Sequence, residues 1–279
     1  EKYVVKFYRP GRWTKQAIEE EHLFLMDCRE AEIPVVPPLS GRDAQTLFTL
    51  SLGEETFYYS LFPQRGGRNF EANTTDDWHR LGNLIGRVHH VGARRKCLSR
   101  LDCLPAATTR PFVKELEASD LVPPEQAAEL FTLLEAGLSV IDGLFDGVLL
   151  QRIHGDCHAG NILDRGAEGL LLFDFDDMMN GPAVQDLWLL LPEHAARSRR
   201  ELDLLLEGYT QFHPFAPATL RLIEPLRFMR MVYFLLWCAR QRHDYDFARH
   251  FPDWGGKAFW IKEIEDFRQQ MTLIEDALG

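Results

Sequence analysis

The sequence has no long apolar run. Its most hydrophobic helical stretch, MVYFLLWCA over 231–239, is bounded by Arg230 and Arg240. That is far short of the roughly 20 residues a membrane-spanning helix needs, so the stretch predicts a buried core helix and no membrane partner. Cysteine is scarce: five residues, an odd number, with no CxxC pair. This argues against a disulfide framework and predicts a reducing, cytoplasmic setting. Positive charge is in deficit, 31 Lys and Arg against 42 Asp and Glu, for a net charge of -11. A nucleic-acid partner is therefore not expected, because phosphate contacts need a basic face. Internal repeats, low-complexity tracts and long charge runs are missing too. What is there, 279 residues at 46% hydrophobic content, can build one large domain or two smaller ones sharing a cleft, and a monomer is expected.

The chain opens on strand formers, Tyr3-Val4-Val5-Lys6-Phe7-Tyr8, stopped by Pro10-Gly11. Thr14 can cap a helix over 15–29, in which Ile18, Leu25 and Cys28 share a stripe with the charged Glu21. A carboxylate on an inward stripe wants a partner. Residues 33–38 read as an extended connector, and the runs 45–50 and 56–62, split by Gly53, as a hairpin. Pro63 and Gly66-Gly67 then mark a boundary between a small strand-rich part and a larger helical one. Helices are expected near 75–91, 124–145, 184–191, 199–212, 218–241 and 257–278. Among them lie two short apolar runs of strand length, 147–153 and 169–173, each leading into a polar cluster. The fold class is α+β.

The first of those clusters, RIHGDCHAGN over 152–161, holds two histidines and a cysteine that resemble metal ligands. As a zinc site, His154, Cys157 and His158 form an incomplete set without a second Cys/His cluster nearby. As a thiol nucleophile, Cys157 lacks a cysteine-enzyme signature. A third reading takes His154, Asp156 and Asn161 in the spacing HxDxxxxN, followed by Asp174 at the end of the next strand. Phosphoryl transfer uses such a set: one aspartate accepts the proton of the acceptor hydroxyl, while an asparagine and a further aspartate hold magnesium against the ATP phosphates.

The stretches VVKFYRPGRW, EEH, GGRNFEA, HGDCHAGNIL, DFDD with NGPAVQDLW, and IEPLRFMR carry a resemblance that spans nearly the whole chain. The sequence resembles the protein-kinase-like superfamily in its aminoglycoside and choline kinase branch, and within it a group of bacterial serine/threonine kinases acting in stress response. That resemblance implies a two-lobed fold: an N-terminal lobe over 1–62 with an antiparallel sheet and one helix, a hinge over 63–68, and a mainly helical C-terminal lobe over 69–279. The catalytic loop would be 154–161 and the metal-binding segment 173–177. It implies that Val4 covers the adenine, Lys6 holds the ATP phosphates, Glu21 orients Lys6 with Glu20 as the fallback, and Phe62 lies at the hinge edge of the nucleotide site. Asp156 would be the catalytic base, and Asn161 and Asp174 the magnesium ligands. Asp174 would match the aspartate of the kinase DFG triplet, here Asp174-Phe175-Asp176, which leaves Asp176 as an extra metal or substrate contact. Asp186 would brace the catalytic loop through its backbone, and His154 would organise it. His158 and Cys157 have no assigned role; Cys157 lies beside the base, where oxidation could inhibit, but no sequence feature points to a lowered thiol pKa. The family also places two strands and a phosphate-covering turn before the lysine strand, about 15 to 25 residues, so the sequence is expected to begin inside the N-terminal lobe.

The implied reaction transfers the γ-phosphate of ATP, with Mg2+, to a serine or threonine hydroxyl of a protein, and autophosphorylation fits the same scheme. Two alternatives stand beside it. A small-molecule kinase would share the ATP site and differ in the acceptor. A catalytically silent kinase-like binding module would keep only the fold, against which the intact Lys6, Asp156, Asn161 and Asp174 speak.

Overall fold

The computed structural model describes residues 2–53 and 55–279. In chain order the elements are β1 (Tyr3–Tyr8), α1 (Lys15–Glu30), β2 (Phe48–Leu52), β3 (Glu55–Pro63), β4 (Arg68–Asn69), α2 (Thr75–Gly92), α3 (Arg110–Ala118), α4 (Pro124–Ile141), β5 (Gln151–Ile153), β6 (Ile162–Asp164), β7 (Leu170–Leu172), β8 (Met179–Gly181), α5 (Val184–Trp188), α6 (Arg199–Tyr209), α7 (Ile223–Gln241), α8 (Phe247–His250) and α9 (Lys257–Leu278). They fall into two compact units, one formed by 1–101 with 149–216, the other by 102–148 with 217–279. Helix dominates, and the strands gather in small antiparallel sheets.

The first unit carries the strands. Its sheet has the order β1-β3-β2, and the antiparallel register sets Val4 opposite Phe62 and Lys6 opposite Ser60. Residues two apart on a strand share a face, so Val4 and Lys6 look the same way, as expected. α1 starts at the predicted cap: the Thr14 hydroxyl accepts the Ala17 N–H at 3.1 Å. Ile18 packs with Tyr8 and Leu47 under the sheet. Further along α1, Phe24, Leu25 and Cys28 join a larger core with Trp78, Leu81, Ile85 and Val88 of α2 and Leu172 of β7. α2 begins in a capping box in which Thr74 and Asp77 each satisfy the other's backbone N–H. α2 and α6 meet backbone to backbone: a Cβ on Gly86 would overlap the carbonyl of Tyr209. That approach brings the Tyr209 hydroxyl to His89.

The second unit is helical. Phe228 of α7 and Phe267 of α9 pack edge to face with centroids 5.3 Å apart, among the wholly buried Leu130, Leu134 and Leu138 of α4. Arg240 forms a forked pair with Glu115, at 2.7 and 2.6 Å.

Some boundaries differ from the sequence pattern. Pro105 and Pro111 look like breakers, yet Pro111 occupies the first turn of α3, where the missing N–H costs nothing. The helix expected over 218–241 begins as a 3-10 turn over Pro217–Leu222 and turns α-helical at Ile223. The run over 147–153 yields strand only at Gln151–Ile153.

Candidate active site

Lys6 is the hub of the N-terminal part of the site. Its Nζ lies 3.0 Å from Asp176 Oδ1, 3.3 Å from Glu21 Oε1 and 3.4 Å from Asp174 Oδ1. Burial opposes the ammonium charge, but Glu21, Asp176 and Asp174 more than offset it and raise the Lys6 pKa. Glu21 sits 1% exposed; burial pushes its carboxyl up, while Lys6 and then Arg100 pull it back. The choice between neighbouring glutamates is decided by geometry. Glu20 spends both oxygens on the N–H groups of Leu98 and Ser99, at 2.6 and 2.9 Å, and Glu21 alone reaches Lys6. Burial also raises the Asp176 carboxyl, but Lys6 and Arg12 outweigh it and hold the group below the ordinary carboxylate range.

These groups border a cavity of about 650 Å³ lined by Val4, Lys6, Glu21, Phe62 and Asp174, with Leu171 on its wall. These five residues, each singled out from the sequence, thus share one cavity; Asp156 and Asn161 are not among its lining residues. The size lies within the range typical of small-ligand pockets, roughly 300 to 1,000 Å³.

Asp156 and Asn161 sit on the loop between β5 and β6. The Asn161 side-chain N–H donates to the Asp156 carbonyl at 3.0 Å, which leaves the amide oxygen as the atom suited to a hard cation. Gly155 precedes Asp156 with φ +83°, and a Cβ there would overlap the Asp177 carbonyl. Glycine therefore stands in the HGD triplet because the 154–161 loop and the 173–177 segment touch through backbone. Asp174 itself has φ +60°, a left-handed conformation that aspartate tolerates better than most residues. His154 accepts the Asp156 N–H at Nδ1, 3.3 Å, and donates from Nε2 to the Phe173 carbonyl at 2.9 Å. It ties the loop to the aspartate segment, the organising role expected of it. His158 accepts the Gly160 N–H at Nδ1, and its Nε2 lies 3.5 Å from Asp156 Oδ2.

Asp186 of α5 takes the N–H of His154 at 2.7 Å and of Gly155 at 2.9 Å, the brace anticipated from NGPAVQDLW. Cys157 is not an activated thiol. It is wholly buried, and burial followed by Asp186 and Asp156 drives its thiol pKa well up, so no exposed thiolate is available for inhibitory oxidation.

Sequence reasoning missed three supporting groups. Arg100 donates to the Ala17 carbonyl, the Asp176 carbonyl and Glu21 Oε2, at 2.7, 2.6 and 3.1 Å. Arg12 pairs with Asp176 at 3.0 Å and Asp177 at 2.6 Å. His89 lies 2.9 Å from Asp186 and 3.0 Å from the Tyr209 hydroxyl. Arg12 belongs to the stretch VVKFYRPGRW and His89 to an even helical stripe with Ile85, but only the fold gives either a partner. Arg100 stands in a segment without periodicity and offers no signal at all.

Comparison with known proteins places this geometry. The model of the phosphotransferase enzyme family, APH, matches residues 1–223. Stress response kinase A of Salmonella paratyphi A is 38% identical over 276 residues, 99% of this chain and 82% of the relative. A Salmonella typhimurium protein named serine/threonine protein kinase RdoA matches at 38% over 276 residues with the same coverage. Among solved structures, amicoumacin kinase hAmiN in complex with AMP-PNP, Ca2+ and Ami shares the fold at a TM-score of 0.71 and 18% identity, over 96% of this chain and 85% of that one. The chain accordingly belongs to the phosphotransferase enzyme family and has its kinase-like fold.

Proposed function

We propose that the protein is an ATP- and magnesium-dependent kinase that phosphorylates serine or threonine on a protein in a bacterial stress response. The observation that carries the reading is the Lys6–Glu21 pair meeting Asp174 at the edge of a cavity of about 650 Å³. The name of one relative matching across 99% of the chain, a serine/threonine protein kinase, supports a protein acceptor, and the name stress response kinase A of another supports the setting.

In this reading Val4 and Phe62, paired across β1 and β3, enclose the adenine beside the hinge at 63–68. Lys6, oriented by Glu21, binds the triphosphate. Asn161 and Asp174 are the oxygen ligands for magnesium, which prefers one or two such protein groups plus phosphate and water. Among the described residues no three His, Cys, Asp or Glu form a cage of their own, and this hard-oxygen pair fits a cation that arrives with a nucleotide. Bound there, the metal would neutralise triphosphate charge. Asp156 takes the proton of the acceptor hydroxyl as its oxygen bonds to the γ-phosphorus and the bond to ADP breaks. No helix among the described residues is long and apolar enough to cross a membrane; the five free, buried cysteines suit a cytoplasmic site. Autophosphorylation is part of the proposal.

A small-molecule acceptor is the second reading, motivated by the fold shared with an amicoumacin kinase. Labelled ATP offered to the protein with a general protein substrate, with a panel of small alcohols and alone separates the two. Label on protein is the expected result; label only on small molecules would overturn the protein acceptor. Asp156→Asn should lower turnover by about 10²–10⁴ with little change in nucleotide affinity, and unchanged turnover would remove Asp156 as the base.

A further inference from the structure

We propose that Arg100 is a positioning residue for the nucleotide: it shares the Glu21 carboxylate with Lys6, so that the Lys6 ammonium remains available to the triphosphate. The inference rests on the ATP-dependent reading above and adds to it a residue outside the usual lysine–glutamate pair.

The two oxygens of Glu21 serve different cations. Oε1 faces Lys6 Nζ at 3.3 Å and Oε2 faces Arg100 Nη2 at 3.1 Å. A carboxylate 1% exposed with a single cationic partner would hold that partner tightly, because attraction between charges strengthens as water is excluded. A second cation on the far oxygen divides this attraction. Arg100 is well placed to divide it. Its side chain is fully buried, its guanidinium lies 4.3 Å from the Trp13 ring centroid, and its fork reaches three acceptors at once. Those acceptors are the Ala17 carbonyl and Glu21 of α1 and the Asp176 carbonyl of the metal-binding segment. A lysine has no such fork.

The segment that delivers Arg100 is itself fixed. Glu20 caps the N–H groups of Leu98 and Ser99. Cys97 exchanges two hydrogen bonds of 2.9 Å with the Asn180 side chain on β8. Consecutive glutamates of α1 therefore act as a bracket, Glu20 gripping the backbone of 98–99 and Glu21 the guanidinium of Arg100. The position of α1, and with it the Lys6–Glu21 pair, is set from the 97–100 segment as well as from β1.

The test measures binding of Mg·AMP-PNP to the full chain by calorimetry, beside thermal melting, and needs no acceptor. Arg100→Gln keeps a donor and removes the charge; its Kd should weaken about tenfold or more, whereas Arg100→Lys, which keeps the charge and loses the fork, should stay within about threefold of the parent. In a Glu21→Gln background, adding Arg100→Gln should change Kd by less than about twofold, because the charge to be shared is gone. Unchanged binding by Arg100→Gln, or equal weakening by the Gln and Lys variants, overturns the proposal, as does a lowered melting temperature with native affinity. If Arg100→Gln does not fold, Arg100→Met, which keeps the apolar stem and removes the charge, takes its place under the same thresholds, and a tenfold loss in Arg100→Lys overturns the proposal. A parent protein that binds no Mg·AMP-PNP refutes the ATP-dependent reading itself, which is a different result from any of these.

Discussion

Replacing Asp186 by alanine isolates the brace under the 154–161 loop. The carboxylate is wholly buried and accepts from His154 N at 2.7 Å, Gly155 N at 2.9 Å and His89 Nε2 at 2.9 Å. The direction of the last bond follows from its acceptor: an ionised carboxylate can only accept, so the hydrogen of this bond sits on His89 Nε2, while Nδ1 faces the Tyr209 hydroxyl at 3.0 Å. Alanine would strand three buried donors. Each lost partner costs about 1–3 kcal/mol, and the three share one carboxylate, so the values do not add in full. We expect a loss of about 3–5 kcal/mol, the range for removing one partner of a buried charged network. Asp186→Asn retains one acceptor and turns a donor toward the other N–H, and should lose about half as much. Denaturant unfolding followed by tryptophan fluorescence measures the loss, and hydrogen exchange reports whether the His154 and Gly155 amides lose protection. A loss under about 1 kcal/mol for the alanine variant, with both amides still protected, refutes the argument that Asp186 holds the loop.

Asp174→Asn should weaken the magnesium-dependent part of Mg·AMP-PNP binding while metal-free nucleotide binding changes little; an unaltered magnesium titration contradicts the ligand assignment. Gly155→Ala combines a φ of +83° with overlap at the Asp177 carbonyl, and should cost about 2–4 kcal/mol in unfolding experiments. A variant as stable as the parent would show that the two segments part readily. His22 is pH-sensitive: burial, then Lys6 and Arg100, lower its pKa to about 4 from 6.5. The folded chain keeps it neutral while the unfolded chain takes up a proton, so stability should fall as pH drops from about 6.5 to 4, by up to about 3 kcal/mol from this group. His213 is lowered to about 4 as well, so the measurement is the difference in pH slope between the parent and His22→Gln; equal slopes would remove His22 as a contributor.

Much of the site can be read from the chain because it depends on local order. β1 alternates, which fixes Val4 and Lys6 on one face. α1 has a helical period, which turns Glu21 inward. HxDxxxxN is a single loop whose spacing belongs to its own backbone. What cannot be read depends on contacts between segments distant in sequence. Arg100 is 79 residues from Glu21 and Arg12 is 165 from Asp177, and no periodicity links them. The helices expected over 124–145 and 218–241 are right in kind and wrong at their ends, since the termini tighten into 3-10 turns that apolar spacing does not distinguish from α-helix. α3 is obscured by prolines that the first turn of a helix tolerates.

The surroundings of Lys6 bear on how a triphosphate could enter. Three carboxylates contact its ammonium, and a phosphate cannot join that shell unless one gives way. They differ in what else holds them. Glu21 is also bound by Arg100 and Asp176 by Arg12, so either can release Lys6 in part without losing its counter-charge. Asp174 is different: 51% of its side chain is exposed, and Lys6 is its cationic contact. A cation arriving with a nucleotide would find Asp174 both the most accessible of the three and the one whose charge is least committed to the protein. In the proposed reading Asp174 would therefore be the carboxylate that holds a divalent cation once phosphate occupies Lys6. Asp176 stays with Arg12, which also pairs with Asp177 and keeps the 173–177 segment docked on the β1–α1 turn.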